Sequence, residues 1–200
     1  MFRNIVFDIG GVLLTWGPEQ YVRTTLDNAL NADYFAGVLF RSPEWSELDR
    51  GSYTAKELHT RYLAKYPEIA EEINLLFGNW FDILSPIDEN IELVSELRSK
   101  GYKLYILSNF VREAFEAMRK RYSFFELFDG FIVSCYVHSV KPEKEIFLYL
   151  LDSCELDRRE CLFIDDEKEN VEAAKEVGIE AIGYLTPEQL RLELHKRHIL

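Results

Sequence analysis

Asp8 closes the apolar run Ile5-Val6-Phe7 and is followed by Ile9-Gly10-Gly11-Val12. Ser108-Asn109 closes a second run, Lys141-Pro142 stands just ahead of a helical pattern, and Asp165-Asp166-Glu167 closes Leu162-Phe163-Ile164. Together these residue types could perform one piece of chemistry: a carboxylate nucleophile, a hydroxyl and an ammonium to hold phosphate oxygens, and further carboxylates to gather a hard divalent cation. Singly, each has a plainer explanation. Glycines after Asp8 suit a turn that the aspartate caps, Ser and Asn end strands and cap helices, and a lysine before a first-turn proline is ordinarily solvated. Three adjacent carboxylates are harder to explain away, because they repel one another unless solvated or gathered round a cation.

What favours the joint reading is where the elements put them. Short β-branched and aromatic runs recur at Ile5-Val6-Phe7, Lys103 to Leu107, Phe131-Ile132-Val133, Leu162-Phe163-Ile164 and Ala181 to Tyr184, each bounded by turn chemistry. Helical patterns separate the later ones: Arg112 to Tyr122, Glu143 to Cys154, and Glu169 to Val177 stopped by Gly178. That alternation implies a parallel sheet with right-handed crossovers. Asp8, Ser108 and Asp165 then fall at carboxyl ends of strands, where open parallel sheets bind ligands, and Lys141 just before a helix. Thr186-Pro187-Glu188-Gln189 opens a final helix with a capping-box pattern.

From Thr15 to about Ser85 the alternation breaks, with helical signals at Pro18 to Ala29, at Thr54 to Tyr66 behind the capping box Thr54-Ala55-Lys56-Glu57, and from Pro67 to about Phe77. Helix resumes from Asp88 to Lys100, closed by Gly101. We expect a helical insertion at 15–85 and an α/β core at 1–14 and 86–200. A net charge of −12 argues against nucleic acid or an anionic membrane as partner, and requires local positive charge to draw in an anionic substrate. No run approaches the ~18 apolar residues of a membrane span. Cys135, Cys154 and Cys161 show neither a disulfide framework nor zinc spacing. Without a signal-peptide pattern, the expected location is cytoplasmic.

In this order, Asp8 to Leu13, Leu107-Ser108-Asn109, Lys141-Pro142, and Phe163 to Asp166 with Asn170 resemble the four motifs of the haloacid-dehalogenase-like hydrolase superfamily. The helical insertion resembles the small cap of its subfamily I, and Gly10-Gly11-Val12, Ser108-Asn109 and Asp165-Asp166 resemble the branch containing bacterial α-D-glucose-1-phosphate phosphatases. The resemblance implies a Rossmann-like open parallel sheet of five strands, order 3-2-1-4-5, with helices on both faces and an all-helical cap. It implies that Asp8 takes the phosphoryl group of a small phosphorylated metabolite, releasing the alcohol, and that water then hydrolyses the aspartyl phosphate. Lys141 would assist catalysis and bind phosphate with Ser108, Asn109 and Gly11, while Asp8, the Gly10 carbonyl and Asp166 would hold Mg²⁺, with Asp165 either a further ligand or a support behind the ligands. No obligatory protein partner is implied.

One position departs from that pattern. Many family phosphatases carry an acid–base aspartate where this chain has Gly10, which leaves a slow enzyme, an acid supplied by the cap, or a substrate with a good leaving group such as glucose 1-phosphate. Two alternatives to the phosphatase stand beside it: a metal-independent 2-haloacid dehalogenase, and a phospho-ligand binding module without turnover. In the insertion, Glu44 to Gly51 combines Trp45, charges and a glycine, with Trp45 either packed or facing substrate; Trp16 is open to the same two readings. The four histidines show no metal-ligand spacing.

Overall fold

The computed structural model describes residues 2–26, 31–78 and 80–200. The elements run β1 (Asn4–Phe7), α1 (Pro18–Thr25), α2 (Ala32–Phe35), α3 (Pro43–Asp49), α4 (Ala55–Lys65), α5 (Ala70–Gly78) and α6 (Asp88–Ser99). They continue β2 (Lys103–Ser108), α7 (Arg112–Arg121), β3 (Gly130–Val133), α8 (Ser134–Val137), α9 (Lys144–Ser153), β4 (Cys161–Asp165), α10 (Lys168–Glu176), β5 (Glu180–Gly183) and α11 (Pro187–Lys196). The strands form one parallel sheet in the order β3-β2-β1-β4-β5, as expected from the resemblance.

A central parallel strand is buried on both faces, so β1 reads as an unbroken apolar run and not as an alternation. Ile5 and Phe7 point to the face covered by α6, α7 and α11, where Leu93, Phe115 and Leu194 are buried. Val6 points to the other, packed with Phe147 of α9 and Val171 of α10. Each such burial stabilises the fold by about 1.5–3 kcal/mol. The chain moves outward from β1 to β2 and β3, then crosses back to β4 on the other side of β1. Chain direction thus diverges at the carboxyl ends of β1 and β4, opening a crevice there.

Among the described residues, those between 15 and 85 form helices and no strand. Two backbone bonds tie the ends of this segment together, Thr15 N–H to the Ser85 carbonyl at 2.8 Å and Ile87 N–H to the Leu13 carbonyl at 2.9 Å. The Thr54–Glu57 capping box forms in both directions. At α11 the reciprocal bond differs: Gln189 N–H donates to the Thr186 hydroxyl, but the Gln189 side chain accepts from Leu185 N–H, one residue before the cap. The end predicted for α1 at Ala29 lies outside the described residues. A π-helical stretch Ala36–Phe40 and the short helices α2 and α3 extend the helical segment beyond the sequence signals. Among the described residues no helix is long and apolar enough to cross a membrane, and the three cysteines are free thiols.

Candidate active site

Asp8 is the first residue past β1, its N–H bonded to the Ile164 carbonyl at 2.9 Å, so the strand pairing itself aims it beside Asp165. One carboxylate oxygen accepts from Ile9 N–H at 2.7 Å and lies 2.9 Å from the Lys141 ammonium. The same ammonium lies 2.5 Å from Asp165. Lys141 is 4% exposed and Asp165 fully buried, so this is an internal chain of charge and not a surface ion pair. The other Asp165 oxygen accepts from Glu167 N–H at 2.8 Å and from the Asn170 side chain at 3.0 Å, which leaves both oxygens engaged. Asp166 is exposed, and Asp8, Asp165 and Asp166 each bring a carboxylate oxygen within 4.8 Å of the others.

Three carboxylates against one ammonium leave the cluster two negative charges in excess, the deficit one divalent cation would balance. Burial, with the charges of Asp165 and Asp166, pushes the Asp8 carboxyl up to about 7 against the pull of Lys141 and a hydrogen bond from Ser108. Burial and then Asp165 push Asp166 up to about 6. Burial disfavours the Lys141 charge, but Asp165 and Asp8 outweigh it and hold the ammonium above its ordinary value. The backbone has made room for the cluster: Gly11 has φ +73°, and a Cβ there would lie 2.2 Å from an Asp166 oxygen. Hard oxygen donors, excess negative charge and a close approach permitted only by glycine fit Mg²⁺.

Asn109 plays a part that the sequence did not reveal. Its side chain accepts from Lys141 N–H at 2.7 Å and donates to the Lys141 carbonyl at 2.9 Å, fixing the lysine backbone across two loops. Ser108 is wholly buried beside Asp8. Asp8, Asn109, Lys141 and Asp166 therefore line one crevice, with Ser108 and Asp165 fully buried beneath it and the helical segment across from it. Asp8, Gly10, Asn109, Phe110, Val111, Lys141, Asp166, Glu167 and Asn170 line it from the sheet side, and Trp16, Phe40, Trp45, Asp49, Trp80 and Leu84 from the other. The aromatic side is self-supporting, with Trp45 in edge contact with Phe40 at 4.9 Å and Trp80 at 5.2 Å and tilted against Trp16 at 6.0 Å. Trp45 is thus both packed and pocket-lining, while Trp16 remains 36% exposed.

The site residue that sequence reasoning passed over is Asp49. Burial, and next the charge of Asp8, push its carboxyl up to about 8, opposed by Lys141. Its signal was present, since Trp45, Leu48 and Asp49 stand at i, i+3 and i+4 and so share a helix face. A helix of seven residues is too short for that face to declare its direction. None of the histidines belongs to the carboxylate cluster; His59 meets Asn74, His138 the Arg50 carbonyl and His195 the Leu200 carbonyl.

A family model described as haloacid dehalogenase-like hydrolase matches residues 2–178, and the chain belongs to that family. A sesquiterpene phosphatase of Aspergillus oryzae is 28% identical over 178 residues, covering 89% of this chain and 87% of that protein. A D-ribitol-5-phosphate phosphatase of Bacteroides thetaiotaomicron is 27% identical over 192 residues, covering 90% of each. A haloacid dehalogenase family enzyme of the same bacterium, solved with magnesium and inorganic phosphate, shares the fold at TM-score 0.72 and 22% identity, over 91% of this chain and 93% of its own.

Proposed function

We propose that this haloacid dehalogenase-like hydrolase is a Mg²⁺-dependent phosphatase that transfers the phosphoryl group of a small phosphomonoester to Asp8 and then to water. The observation that carries this reading is the buried Asp8–Lys141–Asp165 chain with Asp166 beside it. Asp8 has one oxygen steadied by Ile9 N–H and Lys141, which orients the carboxylate for in-line attack. Lys141, the Ser108 hydroxyl and the Asn109 N–H bind the non-bridging oxygens, whereas the Gly11 N–H expected to join them already donates to the Leu14 carbonyl at 2.8 Å. Asp8, the Gly10 carbonyl and Asp166 would hold the cation. Asp165, both of whose oxygens are already engaged, orients Lys141 and the loop after β4. When bound, Mg²⁺ would offset the negative charge shared by phosphate and carboxylates.

In this reading residues 1–14 and 86–200 are the catalytic core, and 15–85 the cap that selects the leaving group. The aromatic wall favours a substrate whose body is apolar or presents a ring face, in line with the named substrate of the Aspergillus relative. Phosphate release with Mg²⁺ should be assayed on a sesquiterpenyl monophosphate, D-ribitol 5-phosphate, glucose 1-phosphate and p-nitrophenyl phosphate. Asp8→Asn is expected to lower turnover on the order of 10⁴-fold or more, and EDTA to abolish it. Equal rates for wild type and Asp8→Asn sink the nucleophile assignment. Dehalogenation of a 2-haloacid that survives EDTA would establish the metal-independent alternative, and absence of release from every ester would favour a binding module.

A further inference from the structure

In-line displacement puts the leaving oxygen on the side of phosphorus away from Asp8, which is the side closed by the helical segment. A departing alkoxide needs a proton there. Of the sheet-side groups, Lys141 is shared by Asp8 and Asp165 and Asp166 completes the cation cluster, while Glu167 also lines the cavity but is exposed to solvent. Position 10 is a glycine with no side chain to offer.

Across the cavity, Asp49 ends α3 one turn after Trp45 on the same face. Its place is fixed from the core. The Ser134 hydroxyl donates to the Asp49 carbonyl at 2.5 Å, and Arg50 forks onto Glu143 at 2.9 and 2.6 Å. Gly51, at φ +81°, lies so close to the core that a Cβ would stand 2.5 Å from the Cys135 carbonyl oxygen. Ser134, Cys135 and Glu143 belong to the stretch that carries Lys141, so one segment of chain positions both the ammonium and the carboxyl facing it.

We propose that Asp49 is a further catalytic residue, the general acid that protonates the leaving oxygen and, once ionised, the base that activates water; this rests on the phosphatase reading of Asp8. As an Asp8 oxygen bonds to phosphorus, the bond from phosphorus to the leaving oxygen breaks, its electron pair stays on that oxygen, and the Asp49 proton follows. In the second half, water oxygen bonds to phosphorus, the bond to Asp8 breaks, and the water proton returns to Asp49. The raised Asp49 carboxyl, with Asp8 and Lys141 as the charges acting on it, supplies the acid form at neutral pH.

The test compares wild type and Asp49→Asn on p-nitrophenyl phosphate, whose phenolate departs with little protonation, and on the alkyl phosphomonoester that wild type cleaves best. Expected is a kcat loss of about 10²–10⁴-fold on the alkyl ester and under about tenfold on p-nitrophenyl phosphate, with KM little changed. Asp49→Glu should restore part of the alkyl rate. Equal losses on both esters, an unchanged alkyl rate, or a collapsed thermal midpoint for Asp49→Asn each overturn the acid–base role while leaving the Asp8 reading intact. An Asp8→Asn variant as active as wild type on p-nitrophenyl phosphate overturns the underlying reading, and this inference with it.

Discussion

On the sheet side of the cavity, charge is locked to charge: Lys141 bridges Asp8 and Asp165, and Asn109 holds the lysine backbone from both directions. On the helical side, three tryptophans and a phenylalanine pack on one another, with Asp49 as the single ionisable residue among the lining contributed by that side, counting described residues. The first wall is specific in geometry, because its ion pairs and hydrogen bonds have fixed partners and directions. The second is shaped by apolar area, which is non-directional and tolerant of different bodies. In the proposed function the sheet-side wall supplies the nucleophile and the phosphate contacts, while the helical wall meets the body of the substrate and, through Asp49, its leaving oxygen.

The strongest way to break this contrast is Lys141→Met, which leaves Asp8 and Asp165 buried without their cation. Unfolding in urea at pH 8 without divalent metal should show a loss of about 3–5 kcal/mol, with phosphate release lost as well. A change under about 1 kcal/mol would place the sheet-side charges in the class of surface pairs.

A smaller effect concerns pH. Asp8, Asp49 and Asp166 have carboxyls raised to about 7, 8 and 6, so between about pH 4 and 8 the folded protein keeps protons that the unfolded chain has released. Stability of the metal-free protein should therefore fall as pH rises through that window, and saturating Mg²⁺ should flatten the curve. Glu143, held down at about 2 by Arg50, acts only below that range. Chemical unfolding at several pH values, with and without Mg²⁺, measures this; a metal-free stability that rises with pH contradicts it.

The smallest expected effect sharpens the other wall. Trp16→Ala removes a partly exposed ring, and should raise KM for apolar-bodied phosphomonoesters roughly tenfold while leaving kcat on p-nitrophenyl phosphate within about threefold. Loss confined to kcat would remove Trp16 from substrate recognition.

Much of the sheet-side wall was legible in advance, because Asp8, Ser108 and Asp165-Asp166 directly follow apolar runs, and a parallel sheet collects its carboxyl ends by construction. Asn109 was legible as a position but not as a clamp, since its two bonds to Lys141 span 32 residues. The helical wall was least legible. Its lining comes from Trp16, Phe40, Trp45, Asp49, Trp80 and Leu84, residues scattered over short helices whose apolar positions say that they are buried and not which cavity they face.

By itself, the sequence determined the alternation of strands and helices, the helical break after β1, the family motifs and the absence of a side chain at Gly10. These are local: each depends on periodicity, turn chemistry or residue type over a few positions. Only the tertiary structure decided that Lys141 is buried between two carboxylates, that Gly11 lets Asp166 close on the cluster, and that Asp49 faces Asp8 from across the cavity. The reason is physical. Desolvation and mutual charge depend on what surrounds a group in three dimensions, and the same aspartate that caps a turn in water becomes a poised acid when folding removes the water and sets another carboxylate before it.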